Sequence, residues 1–269
     1  MTTTHATPNA PHPQAIRTEF RTWPHPGVWV RAEHGGLSGD ELAELLERVA
    51  RGEGTLLHKG RNEVWAVDTS QGECVVKSFG VPHLVNQLVY GWLRPSKACR
   101  AFANALELRA IGVDTPEPLA YCSRRSWLGL RFARSWLITR RSSCPWRYED
   151  LFTRPFPCAE EVLRAVGRLT ARLHGHGLRH LDYGRANILF GRGSDGKVCL
   201  DLVDVNRMAR GPVGMRDGCK NFERLPATAQ MHRWMAEEYA RERGFDAEQC
   251  YELMRAFRRT QPGQVEGEF

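Results

Sequence analysis

Apolar residues recur at helical spacing in six stretches of this 269-residue chain. In 38–51, Leu42, Leu45, Leu46 and Val49 form one stripe behind a Ser38 or Asp40 cap, and Gly52 and Gly54 close it. Residues 82–94 repeat the pattern with Leu84, Val85, Leu88, Val89, Trp92 and Leu93. Residues 96–111 continue it up to Gly112, and 160–175 place Val162, Leu163, Val166, Leu169 and Leu173 on one face. Two further helices, about 222–243 and 246–259, finish the pattern.

Between the helices the period shortens to that of strands. Thr55–Lys59 and Glu63–Asp68 are joined by the turn Gly60-Arg61-Asn62, and Glu73–Phe79 follows Ser70-Gln71-Gly72. The stretch VDTPEPLAY holds two prolines, which forbid helix, and leads into another strand. Ser135–Thr139 reads as a buried strand running to a linker near Arg140–Ser143, and Asn187–Phe190 with Lys197–Val203 predicts a hairpin. The expected class is α+β with two lobes. Residues 1–20 are polar, Pro-rich and expected to be disordered; 21–140 form a small antiparallel β-rich lobe with helices; 141–269 form a mainly helical lobe.

Composition narrows this little. Apolar residues make up 42% and charged residues 26%, as in an ordinary soluble globular protein. A net charge of +7 serves solubility or favours an anionic partner: nucleic acid, acidic lipid, or a phosphorylated or carboxylated sugar. Nucleic acid is the weakest of these, because the basic residues do not gather in a run interleaved with aromatics. The eight cysteines are scattered with no C-x-x-C pair, so zinc spacing is absent and a reducing cytosol is the expected home. The start, MTTTHATPNAPHPQ, lacks a secretory pattern, and no run of about 18 apolar residues spans a membrane. Residues 82–94, flanked by Arg94, Lys97 and Arg100, either pack on their own lobe or rest on an anionic membrane surface.

The candidate chemistry lies in LHGHGLRHLDYGRANIL, residues 173–189. His180, Asp182 and Asn187 reproduce the D-x-x-x-x-N spacing of a kinase catalytic loop. Upstream, Val75-Val76-Lys77 ends a β-branched run on a lysine; downstream, Leu202-Val203-Asp204 ends another on a carboxylate. Lysine, aspartate with asparagine, then aspartate is the order of parts in a protein-kinase-like phosphotransferase. Phosphoryl transfer from ATP asks for grip on the triphosphate, metal ions and a carboxylate beside the acceptor hydroxyl. Lys77 fits the first, with the Gly60-Arg61-Asn62 turn over the phosphates. Asn187 and Asp204 fit the second as oxygen ligands for Mg²⁺. Asp182 fits the third, with His180 holding the loop by hydrogen bonds. A carboxylate on the helix after the third strand should hold the lysine; within 96–111 the acidic residue is Glu107.

Asp201 is the alternative metal ligand. Strand alternation puts it and Asp204 on opposite faces, and Asp204 closes the apolar run. His174, His176 and His180 suggest zinc, but they straddle a helix end and a Gly-rich turn with no fourth ligand nearby.

Lys77, SKACRAFANALELRAIGVDTPEPLAY (96–121), HLDYGRANILF (180–190) and LVDVNRM (202–208) together resemble the bacterial lipopolysaccharide kinase family, the kinases of Kdo and heptose in the inner core. The likeness covers roughly 55–245. It implies a protein-kinase-like fold, ATP with Mg²⁺, a sugar hydroxyl of the anionic lipid A–core as acceptor, and work at the cytoplasmic face of the inner membrane. Its catalytic aspartate maps to Asp182, its metal ligands to Asn187 and Asp204, and its nucleotide lysine to Lys77. The family's helix carboxylate falls near Ala103, with Glu107 one turn further on. The lysine many kinases keep two residues after the aspartate is Gly184 here, and Arg185 stands as the cation near the transferring phosphate. The chain after Asp204 lacks an A-P-E segment, which favours a small-molecule or glycolipid acceptor over a protein. The other readings are an aminoglycoside-type kinase, an atypical protein kinase, or a nucleotide-binding pseudokinase adaptor.

Overall fold

The computed structural model describes residues 29–33, 37, 39–70, 72–80, 95–125 and 132–258. The amphipathic stretch 82–94, expected either to pack on its own lobe or to rest on a membrane surface, and the N-terminal segment expected to be disordered lie outside these residues. The chain divides into two compact units: one ends at Ala103 and resumes over Pro118–Arg141, and the other comprises Asn104–Glu117 and the chain from Ser142. A single boundary near 140 was expected, but residues 104–117 group with the second unit.

The first unit is built on a six-stranded antiparallel sheet. Its strands are β1 (Trp29–Glu33), β2 (Thr55–Lys59), β3 (Asn62–Thr69), β4 (Gly72–Phe79), β5 (Pro118–Arg125) and β6 (Phe132–Arg140), in the order β1-β5-β6-β4-β3-β2. Period-2 alternation decides which face is covered. Cys74, Val76 and Ser78 of β4 are buried while Val75 and Lys77 are half-buried. Helix α1 (Gly39–Ala50) brings Leu42 and Leu45 onto the buried face, where they join Val67, Cys74, Val76, Leu119, Ala120 and Ile138. Strand β1 was not anticipated; it gains its definition from pairing with β5.

Helix α2 (Lys97–Ala110) starts where Ser96 Oγ accepts the Cys99 amide at 3.1 Å, a cap on one of the orphan donors. Gly112, at φ +72°, turns the chain out of it.

The second unit is mainly helical. It contains α3 (Ala159–Gly175), α4 (Met215–Lys220), α5 (Ala229–Arg243) and α6 (Ala247–Phe257), with 3₁₀ turns at Tyr148–Phe152 and Asn221–Arg224. Short strands β7 (Trp146–Arg147), β9 (Ile188–Arg192) and β10 (Val198–Leu202) form one sheet; β8 (Leu178–His180) and β11 (Met208–Arg210) form another. The core gathers Tyr148, Leu163, Val166, Tyr183, Phe190, Phe222, Met235 and Tyr239. Helices α3 and α5 approach through Gly167, where a Cβ would stand 2.6 Å from the Met235 carbonyl oxygen.

The expected helix 222–243 begins only at Ala229. Pro226 interrupts the earlier part, and Thr228 caps the helix by accepting the Met231 amide at 3.2 Å. Among the described residues no helix is long and apolar enough to cross a membrane.

Candidate active site

The loop that follows β8 is fastened by its own histidine. The Asp182 amide donates to His180 Nδ1 at 3.1 Å, so the ring proton sits on Nε2 and points at the Val203 carbonyl, 3.3 Å away. Burial pushes the His180 imidazole below its usual range, which keeps this neutral tautomer. Asn187 Nδ2 donates to the Asp182 carbonyl at 2.8 Å, and the Asn187 amide closes a turn onto Gly184 at 2.9 Å. The Val203 amide in turn donates to the Asn187 carbonyl at 2.9 Å. Asp182, Asn187 and the Val203 peptide that precedes Asp204 are thereby drawn into one hydrogen-bonded cluster within the second unit.

Asp204 has left-handed backbone, φ +58°, the single such non-glycine residue among those described. Aspartate visits this region more readily than most residues, because its short side chain bonds locally. Its Oδ1 accepts from Asn206 Nδ2 at 3.2 Å.

The approach to Asp204 is pinned by the stretch around GVDTPEP. The Leu202 amide donates to the Asp114 carbonyl at 2.9 Å, and Thr115 Oγ1 donates to the Leu202 carbonyl at 2.6 Å. On the other side, Asn104 Nδ2 donates to the Val205 carbonyl at 2.6 Å. The peptides flanking Asp204 are held from both ends.

Asp201 lies in β10 and accepts from Ser142 Oγ, and burial raises its carboxyl above the usual range. Glu107, the carboxylate expected to hold Lys77, accepts from Arg210 of β11, which also donates to Asn104 Oδ1 at 2.8 Å. Arg185 pairs with Glu149, Nε to Oε2 3.4 Å, and half its side chain is exposed. Within the first unit, Lys77 sits on β4 between β3 and β6, so it is on an interior strand and not an edge. Its Nζ lies 5.3 Å from the centroid of the Phe79 ring. The Gly60-Arg61-Asn62 turn joins β2 to β3; Asn62 Oδ1 accepts the Gly80 amide at 3.4 Å.

Two partners of the loop had no signal in the sequence. Arg224 Nη1 donates to Asp182 Oδ1. Asn221 Nδ2 donates to the His180 carbonyl at 2.9 Å, leaving Asn221 Oδ1 to accept from His174 Nε2 at 3.0 Å. His174 Nδ1 then accepts from the Tyr239 hydroxyl at 3.0 Å. Both ring nitrogens of His174 are thus spent on a buried relay from α5 to the loop. Among the described residues no three His, Cys, Asp or Glu side chains are placed to hold a metal.

The donor set fits a hard cation bound with a nucleotide. Asn187 spends its Nδ2 on the Asp182 carbonyl, so its remaining polar atom is an oxygen, and Asp204 adds a carboxylate. Mg²⁺ retains waters and substrate phosphates as ligands and needs one or two protein oxygens.

The model of the lipopolysaccharide kinase (Kdo/WaaP) family matches residues 52–256. The chain belongs to this family. Among curated proteins, 3-deoxy-D-manno-octulosonic acid kinase of Xanthomonas campestris pv. campestris (strain B100) is 29% identical over 188 residues, which are 68% of this chain and 65% of that protein. The protein of the same name from Stenotrophomonas maltophilia (strain K279a) is 29% identical over 181 residues, 65% of this chain and 63% of that one. The chain therefore spans just under two thirds of the length of these relatives. The solved structure of WaaP in complex with acyl carrier protein matches with a TM-score of 0.53 at 17% identity, covering 79% of this chain and 89% of WaaP. The shared architecture is the two-lobed, protein-kinase-like α+β fold that the family resemblance implied.

Proposed function

We propose that this member of the Kdo/WaaP family transfers the γ-phosphoryl group of ATP to a sugar hydroxyl, Kdo or heptose, of the lipopolysaccharide inner core. The observation that carries the reading is the hydrogen-bonded cluster of Asp182, Asn187 and the segment leading into Asp204. Asp182 stands as the group that orients the acceptor hydroxyl and takes its proton. Asn187 and Asp204 would hold Mg²⁺, which neutralises the phosphate oxygens when bound. Lys77 would grip the α- and β-phosphates, with the Gly60-Arg61-Asn62 turn above them. His180 holds the loop and takes no proton, since both its nitrogens are committed. The named relatives support the acceptor, because both are 3-deoxy-D-manno-octulosonic acid kinases. The place of work follows from that acceptor: the cytoplasmic face of the inner membrane, held peripherally.

Incubation of the purified protein with labelled ATP, Mg²⁺ and core glycolipid tests this. Label should pass to the glycolipid, and Asp182→Asn should slow transfer at least about 10²-fold, the usual scale for losing a general base. An unlabelled glycolipid, or full activity in Asp182→Asn, would refute it.

A further inference from the structure

Two thiols meet over strand β9. Cys144, in the chain that leads into β7, and Cys199, in β10, lie 55 positions apart, and their Sγ atoms stand 3.0 Å from each other. Both belong to the second unit.

The fold builds this meeting from both sides. In β10 the side chains of Cys199 and Asp201 share one face, because strand residues alternate. The segment 142–144 lies along that face and contacts both: Ser142 Oγ donates to the Asp201 carboxylate, and Cys144 reaches Cys199. Ser142 Oγ also accepts the Cys144 amide at 3.0 Å, which fixes the Cys144 backbone beside the same carboxylate. Gly191 of β9 pairs with Cys199 and leaves the crossing open. A Cβ there would stand 2.8 Å from Pro145 Cδ, 3.2 Å from Cys144 Cα and 3.4 Å from Cys199 Sγ.

The two thiols differ in access. Cys144 is buried and Cys199 half-buried. Burial, then Cys199 and Asp201 beside it, push the Cys144 thiol above its usual range. Cys199 is therefore the thiol that meets an oxidant first, and Cys144 the one that resolves the product. The other close thiol pair, Cys219 with Cys250, is wholly buried and out of an oxidant's reach.

We propose that Cys144 and Cys199 are a modification site for hydroperoxides, which join them in a reversible disulfide. The Cys199 thiolate attacks one peroxide oxygen, the O–O bond breaks, and Cys199 becomes a sulfenic acid as the first water leaves. The Cys144 sulfur then attacks the sulfenic sulfur. The S–S bond forms, the S–O bond breaks, and the hydroxyl departs as a second water with the Cys144 proton. Two thiols thus give up two electrons and two protons, and hydrogen peroxide is reduced to water. The sulfurs need close by only about 1 Å more to reach bonding distance, a side-chain movement. A dithiol reverses the bond by exchange, so in a reducing compartment it is transient. The bond closes a ring over residues 144–199, the stretch that carries Asp182 and Asn187, and stabilises the fold by restraining that stretch in the unfolded chain.

Mass spectrometry of the whole protein tests the site. The reduced protein is treated with hydrogen peroxide at low molar excess, its remaining thiols are alkylated, and it is digested without reductant. A peptide pair joined through Cys144 and Cys199, lighter by two hydrogens, should appear, with the other six of the eight cysteines alkylated. Dithiothreitol should abolish it. Cys144→Ser should halt the reaction at a Cys199 sulfenic acid that dimedone traps, and Cys199→Ser should leave Cys144 unmodified at the same dose. The oxidised protein should melt about 5–15 °C above the reduced one, as for a disulfide closing a loop of this length. Recovery of Cys144 and Cys199 both alkylated, a bond from either to another cysteine or to a second chain, or no rise in melting temperature would overturn the site. Because the cross-link is read in the unaltered protein, a variant that folds poorly does not change the outcome.

Discussion

Arg224 donates through Nη1 to Asp182 Oδ1, so the carboxylate assigned to the acceptor hydroxyl is held by a guanidinium 42 positions further along the chain. The side chains are 46% and 30% exposed, and a pair this wet contributes at most about 1 kcal/mol to folding. Its effect should therefore show in rate and not in stability. Arg224→Ala should leave the melting temperature within a few degrees of the parent. It should lower kcat for phosphate transfer by about 10- to 100-fold, the range seen when a reacting group is misplaced. KM for ATP should hold. A variant that melts early with normal kcat would reverse this assignment.

Asp204 couples a charge to a backbone shape, and two substitutions separate them. Asp204→Asn keeps a residue tolerant of φ +58°, so it should fold as the parent does while losing Mg-dependent transfer. Asp204→Ala should lose the same activity and also about 1–2 kcal/mol of stability, because a Cβ without a local hydrogen bond strains the left-handed turn. Urea unfolding of both variants beside the parent decides it; equal midpoints would argue against the strain.

Buried histidines give the fold an acid-sensitive window. Burial pushes His174 and His232 down to about 4 from an ordinary value of 6.5. Between those values the unfolded chain carries the extra protons. Stability is thus complete above about pH 6.5 and falls as the pH drops toward 4, by about 1.4 kcal/mol per pH unit for each site. His174→Gln should flatten the slope of unfolding free energy between pH 5 and 6.5 by one proton. Slopes that match the parent's would show that His174 is not held neutral.

Gly167 is a packing glycine. An alanine there gains about 1 kcal/mol in helix propensity. Its Cβ would also stand 2.6 Å from the Met235 carbonyl and 3.0 Å from Glu238 Cβ, contacts that a backbone cannot yield without moving α5. The clash should win, with a net loss of about 1–3 kcal/mol. A thermal melt of Gly167→Ala no lower than the parent's would mean the two helices can part freely.

Much of the arrangement was legible in the sequence because it is local. The apolar stripes locate α1, α2 and α3 to within about a residue, and the alternation around Val75 and Val76 locates the strand that carries Lys77. The five-residue step from Asp182 to Asn187 is a loop-closing distance, and the Asn187 side chain does close onto the Asp182 carbonyl. What was illegible is tertiary. Nothing about the sequence NFER announces that Arg224 reaches Asp182, or that Asn221 supports the His180 carbonyl. Glu107 is legible as the acidic residue of its helix, but the Arg210 that donates to it comes from a three-residue strand defined by pairing with β8. The late start of α5 is legible in the chain, where Pro226 and the Thr228 cap both stand before Ala229.

The backbone at 204 also limits how this chain could decay. A lineage released from its chemistry would keep the fold under selection after the carboxylate ceased to matter. Drift at that codon would then run through asparagine or glycine, the residues at ease in a left-handed turn, and alanine or valine would be culled as poor folders. Retired copies should therefore betray themselves by Asn or Gly at this one position, and a survey rich in β-branched replacements there would deny the backbone that role.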